Sequence, residues 1–89
     1  MDDLLSPLRT QIDHIDEELV HLLAERFALV KQVKALKEAT GKAAFDEERW
    51  GAIRARIEEQ AAQENLNPQA IQKIFDAIHD YALHQVYGA

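Results

Sequence analysis

The sequence predicts an all-α fold with three helices per chain, one long and two shorter. Leucines and isoleucines return every three or four residues, no segment alternates as a strand would, and only 3 Gly and 2 Pro interrupt the 89 residues. This length fits one small domain. Because the chain has no Cys, a disulfide framework, a thiolate zinc site and a Cys nucleophile are all excluded.

The charge and hydropathy of the chain limit the classes of partner that it can bind. It carries 10 Lys and Arg against 16 Asp and Glu, a net charge of −6, and its cations do not form a run. Such a chain repels phosphate backbones, so we expect no nucleic-acid partner. The acidic N-terminus and the short apolar stretches argue against a signal peptide and a membrane span. We therefore expect a cytoplasmic protein that does not bind membranes.

The first helix is predicted to run from Pro7 to about Glu38, with Ser6 as its N-cap and Gly41 just beyond its end. It would have roughly 30 residues and a length of about 45 Å. Two shorter helices cannot cover the whole apolar stripe of so long a helix. The sequence therefore predicts an intertwined helical homodimer, in which the long helices of two protomers pack along one another.

The second and third helices are predicted from their capping signals. Asp46 would cap a helix that runs to about Glu64 and carries its apolar residues on one face. Asn67 would cap a third helix, with Pro68 in its first turn. This helix would end before Gly88.

Polar residues occupy positions where the helical pattern calls for apolar ones. Arg26 lies within an aliphatic seam that offers no carboxylate, and Lys37 returns to within about 20° of the same face at ~100° per residue. In the third helix, apolar steps from Ile71 arrive at Gln85. We interpret these residues as the lining of a cavity inside a helical bundle. The cavity is rich in hydrogen-bond donors and would bind an anion. The alternative is that Arg26 pairs with carboxylates of another helix and Gln85 is exposed.

Two further arginines could extend this site. Arg9 points about 100° away from Arg26, so it would face a neighbouring site, such as one in the partner subunit. Arg49 lies in the first turn of the second helix, where the helix dipole disfavours a cation unless an anion is near. Both could equally be ordinary surface residues. The four histidines lack a convincing metal-ligand arrangement, so we expect no metal. The cations and the amide together favour electrostatic stabilisation of an anion without proton transfer.

Four segments carry a family resemblance: LRTQIDHID at 8–16, LLAER at 22–26, VKALK at 33–37 and DEER at 46–49. Together they resemble the all-helical (type II) chorismate mutases. The resemblance covers nearly the whole chain and identifies residues 1–89 as a single chorismate mutase-like domain. It implies an intertwined dimer of three-helix chains. It also implies a cofactor-free isomerase that rearranges chorismate to prephenate in the shikimate pathway of aromatic amino acid biosynthesis.

The resemblance also implies roles for individual residues. Arg26 and Arg9 would bind the two carboxylates of chorismate, and Arg9 would come from the partner chain of the homodimer. Lys37 and Gln85 would donate hydrogen bonds to the ether oxygen whose bond to carbon breaks. Catalysis would come from holding the flexible enolpyruvyl arm over the ring and from cations placed where negative charge grows.

The remaining site residues include two departures from the family pattern. Asp46 would contact the ring hydroxyl, and Arg49 would help to bind a carboxylate. Trp50 stands where most mutases have a glutamate that binds this hydroxyl. Tyr81 stands at the usual inward serine of the third helix, four residues before Gln85.

The sequence does not determine how the third helix aligns with the family pattern. Counting from Phe75 without a gap places Ala82 and Val86 at the family's serine and glutamine positions. A one-residue shift is needed to place Tyr81 and Gln85 there instead. We expect the shifted register, because only that register supplies the site with a donor.

The sequence leaves alternatives to a chorismate mutase. IHDY at 78–81 followed by Gln85 resembles the third helix of isochorismate pyruvate lyases, which share this fold and form salicylate with the same lysine. A mutase that acts on the 4-amino analogue of chorismate is another. The chain could also be a catalytically inactive dimerisation or regulatory module, with Trp50 and Tyr81 filling the pocket.

Overall fold

The computed structural model describes residues 2–88, and these residues form three α-helices followed by one π-helical turn. Helix α1 spans Asp2–Thr40, α2 spans Glu47–Gln63, α3 spans Pro68–Tyr81, and the π-helical turn spans Ala82–Val86. Residues 2–88 contain no strand, so the predicted all-α class with one long and two shorter helices is confirmed. No helix within this range is long and apolar enough to cross a membrane.

Helix α1 starts earlier than the sequence predicts. Its 39 residues begin at Asp2, so Pro7 lies inside the helix and Ser6 is not its N-cap. The Ser6 carbonyl instead accepts a hydrogen bond from Thr10 Oγ1 at 3.0 Å. Pro7 has no N–H to donate to the carbonyl of Asp3, but this part of the helix is exposed and water can take the missing bond.

The C-terminus of α1 is fixed by a glycine, as predicted. Gly41 has φ +71°, a left-handed conformation that favours glycine. Its N–H donates to the Glu38 carbonyl at 3.4 Å, and the Lys42 N–H donates to the Lys37 carbonyl at 2.9 Å. This pair of bonds is a Schellman motif, and it turns the chain away from α1 toward α2.

The predicted N-caps of the two shorter helices are confirmed. Asp46 Oδ1 accepts from the Arg49 N–H at 3.0 Å, and Asn67 Oδ1 accepts from the Ala70 N–H at 2.9 Å. Pro68 occupies the first turn of α3, where its missing N–H costs little. Helix α2 ends one residue before Glu64, close to the predicted boundary.

The protomer is open and elongated, with extents of 59 × 24 × 17 Å. Helix α2 packs along α3, and α1 contacts the π-helical turn. The buried apolar side chains within residues 2–88 are few: Ile53, Ile57, Ala61 and Ala82. The apolar seam of α1 stays 54–57% exposed over its first half, at Leu8, Ile12, Ile15, Leu19 and Leu22. A single chain therefore does not cover the long helix.

The π-helical turn closes the third helix onto α1. The Tyr87 N–H donates to the Ala82 carbonyl at 3.0 Å, five residues back, which is the π-helical spacing. The Val86 carbonyl accepts from Lys34 Nζ at 3.2 Å, so a side chain of α1 binds the end of this turn. The extra residue in the turn changes which side chains face α1.

Candidate active site

A cavity of about 310 Å³ lies between α1, the loop before α2, α2 itself and the end of the third helix. Its volume is at the lower end of the range for small-molecule sites. The polar side chains that line it are Arg26, Lys37, Asp46, Arg49, His79 and Tyr87. The apolar and aromatic lining comes from Leu29, Val30, Val33, Ala44, Phe45, Trp50, Ile53, Ala82 and Leu83.

The cavity gathers three cations that the sequence places far apart. Arg26 and Lys37 reach it from α1, and Arg49 reaches it from the first turn of α2. Within residues 2–88, no carboxylate lies within ion-pair distance of Arg26. The alternative that Arg26 pairs with carboxylates of another helix therefore has no support in this protomer.

The electrostatics of Arg26 show the same excess of positive charge. Partial burial lowers the pKa of Arg26, and the nearby positive charges of Arg49 and Arg56 lower it further. Both effects disfavour the charged guanidinium in the absence of an anion. An anionic ligand would relieve this repulsion and pair with the guanidinium through two hydrogen bonds.

Lys37 is held in place by two contacts. Its Nζ donates to the Ala44 carbonyl at 2.7 Å and lies 5.4 Å from the centroid of the Tyr87 ring. An ammonium has three N–H groups, so the bond to Ala44 leaves others to point at a ligand. The loop before α2 and the end of the third helix therefore both position this amine.

Asp46 combines a structural contact with a place in the cavity wall. One of its carboxylate oxygens caps α2 by accepting from the Arg49 N–H. The side chain also lines the cavity, which leaves the second oxygen able to accept a hydrogen bond from a ligand. Asp46 and Arg49 thus bring one acceptor and one cation to the same end of α2.

One wall of the cavity is aromatic. The His79 ring stacks on Trp50, with centroids 4.0 Å apart and planes at 10°. Phe45 meets the same imidazole at 5.6 Å and 62°. Trp50 therefore packs against α3, as a wall residue, and does not fill the cavity.

Burial controls the protonation of His79. Partial burial is the largest effect and lowers the pKa of His79, and the positive charge of Arg26 lowers it further. The carboxylates of Asp80 and Asp76 raise the pKa and so act against these two effects. The net effect is a pKa below the ordinary value near 6.5. The imidazole is therefore neutral at pH 7, with one nitrogen that donates and one that accepts.

The structure does not bring Gln85 or Tyr81 to this cavity. Gln85 is exposed, and the Tyr81 ring packs on Phe27 with centroids 4.3 Å apart, beside a second, apolar cavity between α1 and α3. Helix α3 continues from Phe75 without the expected one-residue shift, so Ala82 faces the cations instead. The expected shift was inferred from the need for a donor, and the local backbone does not adopt it.

Two polar residues of the cavity were not predicted as site residues. His79 follows Phe75 by four residues and precedes Ala82 by three, so its helical spacing could have placed it on the inward face. Tyr87 follows Ala82 by five residues, which is π-helical spacing. Tyr87 also follows Leu83 by four residues, so an α-helical count from His79 through Leu83 could have found it.

Arg9 lies outside the cavity of its own chain. It is exposed in the N-terminal part of α1, about 25 Å along the helix axis from Arg26 at ~1.5 Å per residue. It cannot reach Arg26 of the same protomer. Within residues 2–88, no group of three His, Asp or Glu side chains could hold a metal ion.

The fold and the site define an all-helical protein with a cationic, aromatic-walled cavity of small-molecule size. The chain belongs to the type II chorismate mutase family, whose sequence model matches residues 8–86. It is 34% identical over 89 residues to the chorismate mutase of Methanocaldococcus jannaschii, a match that covers 98% of this chain and 90% of that protein. No solved structure matches the chain significantly. The family resemblance read from the sequence is confirmed.

Proposed function

We propose that the chain is a chorismate mutase, an isomerase that converts chorismate to prephenate, and that the 310 Å³ cavity is its active site. The observation that carries this proposal is the cluster of Arg26, Lys37 and Arg49 around one cavity, with no ion-paired carboxylate on Arg26 within residues 2–88. Chorismate is a dicarboxylate, so its charge complements this cluster.

The cations bind the substrate in a reactive conformation. Arg26 and Arg49 pair with a carboxylate, because a guanidinium offers two parallel N–H groups to its two oxygens. The aromatic wall of Trp50 packs against the apolar face of the ring. Holding the enolpyruvyl arm over the ring removes the entropy that the free molecule would lose on reaching the transition state.

Lys37 stabilises the transition state. As the rearrangement proceeds, the bond from the ether oxygen to the ring breaks, a carbon–carbon bond forms at the other end of the arm, and no proton is transferred. Negative charge grows on the ether oxygen, and an N–H of Lys37 donates to it. This bond is stronger in the transition state than in the ground state, so it accelerates the reaction.

A substrate assay distinguishes a chorismate mutase from an isochorismate pyruvate lyase of the same fold. Purified protein is incubated separately with chorismate and with isochorismate, following the loss of chorismate absorbance and the appearance of salicylate fluorescence. We expect prephenate from chorismate and no salicylate. Salicylate from isochorismate alone would identify a lyase, and silence with both substrates would contradict an enzyme of either kind.

The active unit in this proposal is a homodimer. A second copy of the chain covers the exposed seam of α1, and Arg9 of one protomer completes the carboxylate site of the other. The exposure of Leu8, Ile12 and Leu19 in the protomer supports this, because a contiguous apolar stripe of this length is rare on a monomer. Light scattering at micromolar concentration is expected to give a dimer, and a monomer would contradict it.

Subunit mixing tests the shared site directly. Arg9→Ala and Arg26→Ala homodimers each lose one contact from every site, so both are expected to be nearly inactive. A mixed dimer regains one intact site, because one chain supplies Arg9 and the other supplies Arg26. Random exchange should restore about a quarter of the wild-type activity. No recovery, with exchange verified by mass spectrometry, would place Arg9 outside the active site.

A further inference from the structure

We infer that His79 recognises the ring hydroxyl of the substrate and so determines specificity at this site. The inference rests on the proposed function and deepens it. His79 lines the cavity together with the cations, and its ring packs between two aromatic side chains that fix its plane, Trp50 and Phe45.

His79 lines the same cavity as its acidic side chain and its cations. Phe45 directly precedes Asp46 in the chain, and Trp50 directly follows Arg49. Both aromatic rings contact the imidazole. His79 shares the cavity with Asp46, the only acidic side chain of its lining within residues 2–88, and lies close enough to Arg26 for that charge to lower its pKa.

The hydrogen-bond donors and acceptors of the cavity explain why a substrate hydroxyl would bind to His79. A hydroxyl donates one hydrogen bond and accepts others. The Asp46 carboxylate can accept from it but cannot donate to it. Arg26, Lys37 and Arg49 have donors, but these are directed to the carboxylates and the ether oxygen. A neutral imidazole supplies the missing uncharged N–H, and no hydrogen bond within residues 2–88 engages the ring nitrogens of His79.

The alternative is that His79 only stacks on Trp50. His79→Phe separates the two roles, because it keeps a flat ring for stacking and removes both nitrogens. His79→Gln does the reverse, because its amide keeps a donor and an acceptor without a ring. His14→Phe, at an exposed position of α1, is the matched control.

The test compares kcat/KM for chorismate with kcat/KM for the analogue in which hydrogen replaces the ring hydroxyl. The ratio of the two values is measured for each variant, so that the intrinsic reactivities of the substrates cancel between variants. We expect His79→Phe to lower this ratio about 10-fold by slowing chorismate alone. His79→Gln should retain part of the discrimination, and His14→Phe should match the wild type.

The outcomes separate the inference from the function on which it rests. If the wild-type chain turns over chorismate but His79→Phe leaves the ratio unchanged, His79 has only a structural role and the inference is overturned. Should His79→Phe fail to fold, His79→Ala replaces it in the comparison. A ratio for His79→Ala below that of the wild type then supports the inference, and a ratio equal to that of the wild type overturns it. A wild-type chain without activity on chorismate would overturn the proposed function and the inference together.

Discussion

Lys37 Nζ lies 5.4 Å from the centroid of the Tyr87 ring, so the end of the third helix contacts the amine that α1 brings to the cavity. A cation–π contact of this kind is worth about 0.5–2 kcal/mol. We predict that Tyr87→Leu lowers kcat about 10-fold with little change in KM, because Lys37 loses orientation but not charge. Tyr87→Phe should retain activity. Equal losses in steady-state kinetics for both variants would show that the hydroxyl matters, not the ring.

Lys37 itself is predicted to act on the transition state. Lys37→Ala should lower kcat by about 10²- to 10³-fold, with a smaller change in KM, because it removes a donor from the ether oxygen. Lys31→Ala, which removes an exposed lysine of the same helix, is the control and should retain activity. A rise in KM at constant kcat would instead assign Lys37 to ground-state binding.

Asp46 is predicted to contribute to both stability and activity. Asp46→Ala removes the hydrogen bond to the Arg49 N–H and should lower the free energy of unfolding by about 1 kcal/mol. Asp46→Asn can still cap the helix and should unfold at nearly the same urea concentration as the wild type. Both variants should lose activity on chorismate. Equal destabilisation by the two substitutions would mean that the charge stabilises α2, not the cap.

The lowered pKa of His79 predicts a pH dependence of stability. The unfolded chain binds a proton at His79 near the ordinary pKa, while the folded chain binds it only at lower pH. Between these two values the unfolded state holds more protons, so acidification favours unfolding. Urea unfolding at about pH 7.5 and about pH 5.5 should therefore show a smaller loss of stability for His79→Phe than for the wild type. Identical losses would contradict the lowered pKa.

The sequence predicted those parts of the fold that short-range rules determine. Asp46, Asn67 and Gly41 act through hydrogen bonds to neighbours in the chain, so their roles could be read directly. The start of α1 was misplaced because a proline is also tolerated inside an exposed first part of a helix, and Pro7 is such a case.

Short-range rules also predicted part of the candidate site. Arg26 and Lys37 lie on one regular helix, so the α-helical period correctly placed them on one face. Gln85 was misplaced because its prediction needed a one-residue shift that α3 does not make, and Tyr87 was missed although it follows the lining residue Leu83 by four residues. The chain also changes to π-helical geometry at Ala82–Val86, where Lys34 of α1 donates to the Val86 carbonyl, a long-range contact that no local pattern contains.

The turnover of chorismate by Arg26→Ala, measured beside the wild type, tests directly whether this cavity is the active site. We predict that the wild type forms prephenate and that Arg26→Ala loses this activity while remaining folded and dimeric. Its thermal stability should not fall, because the substitution removes a half-buried charge without a partner. Undiminished turnover in Arg26→Ala would contradict the assignment of this cavity as the active site.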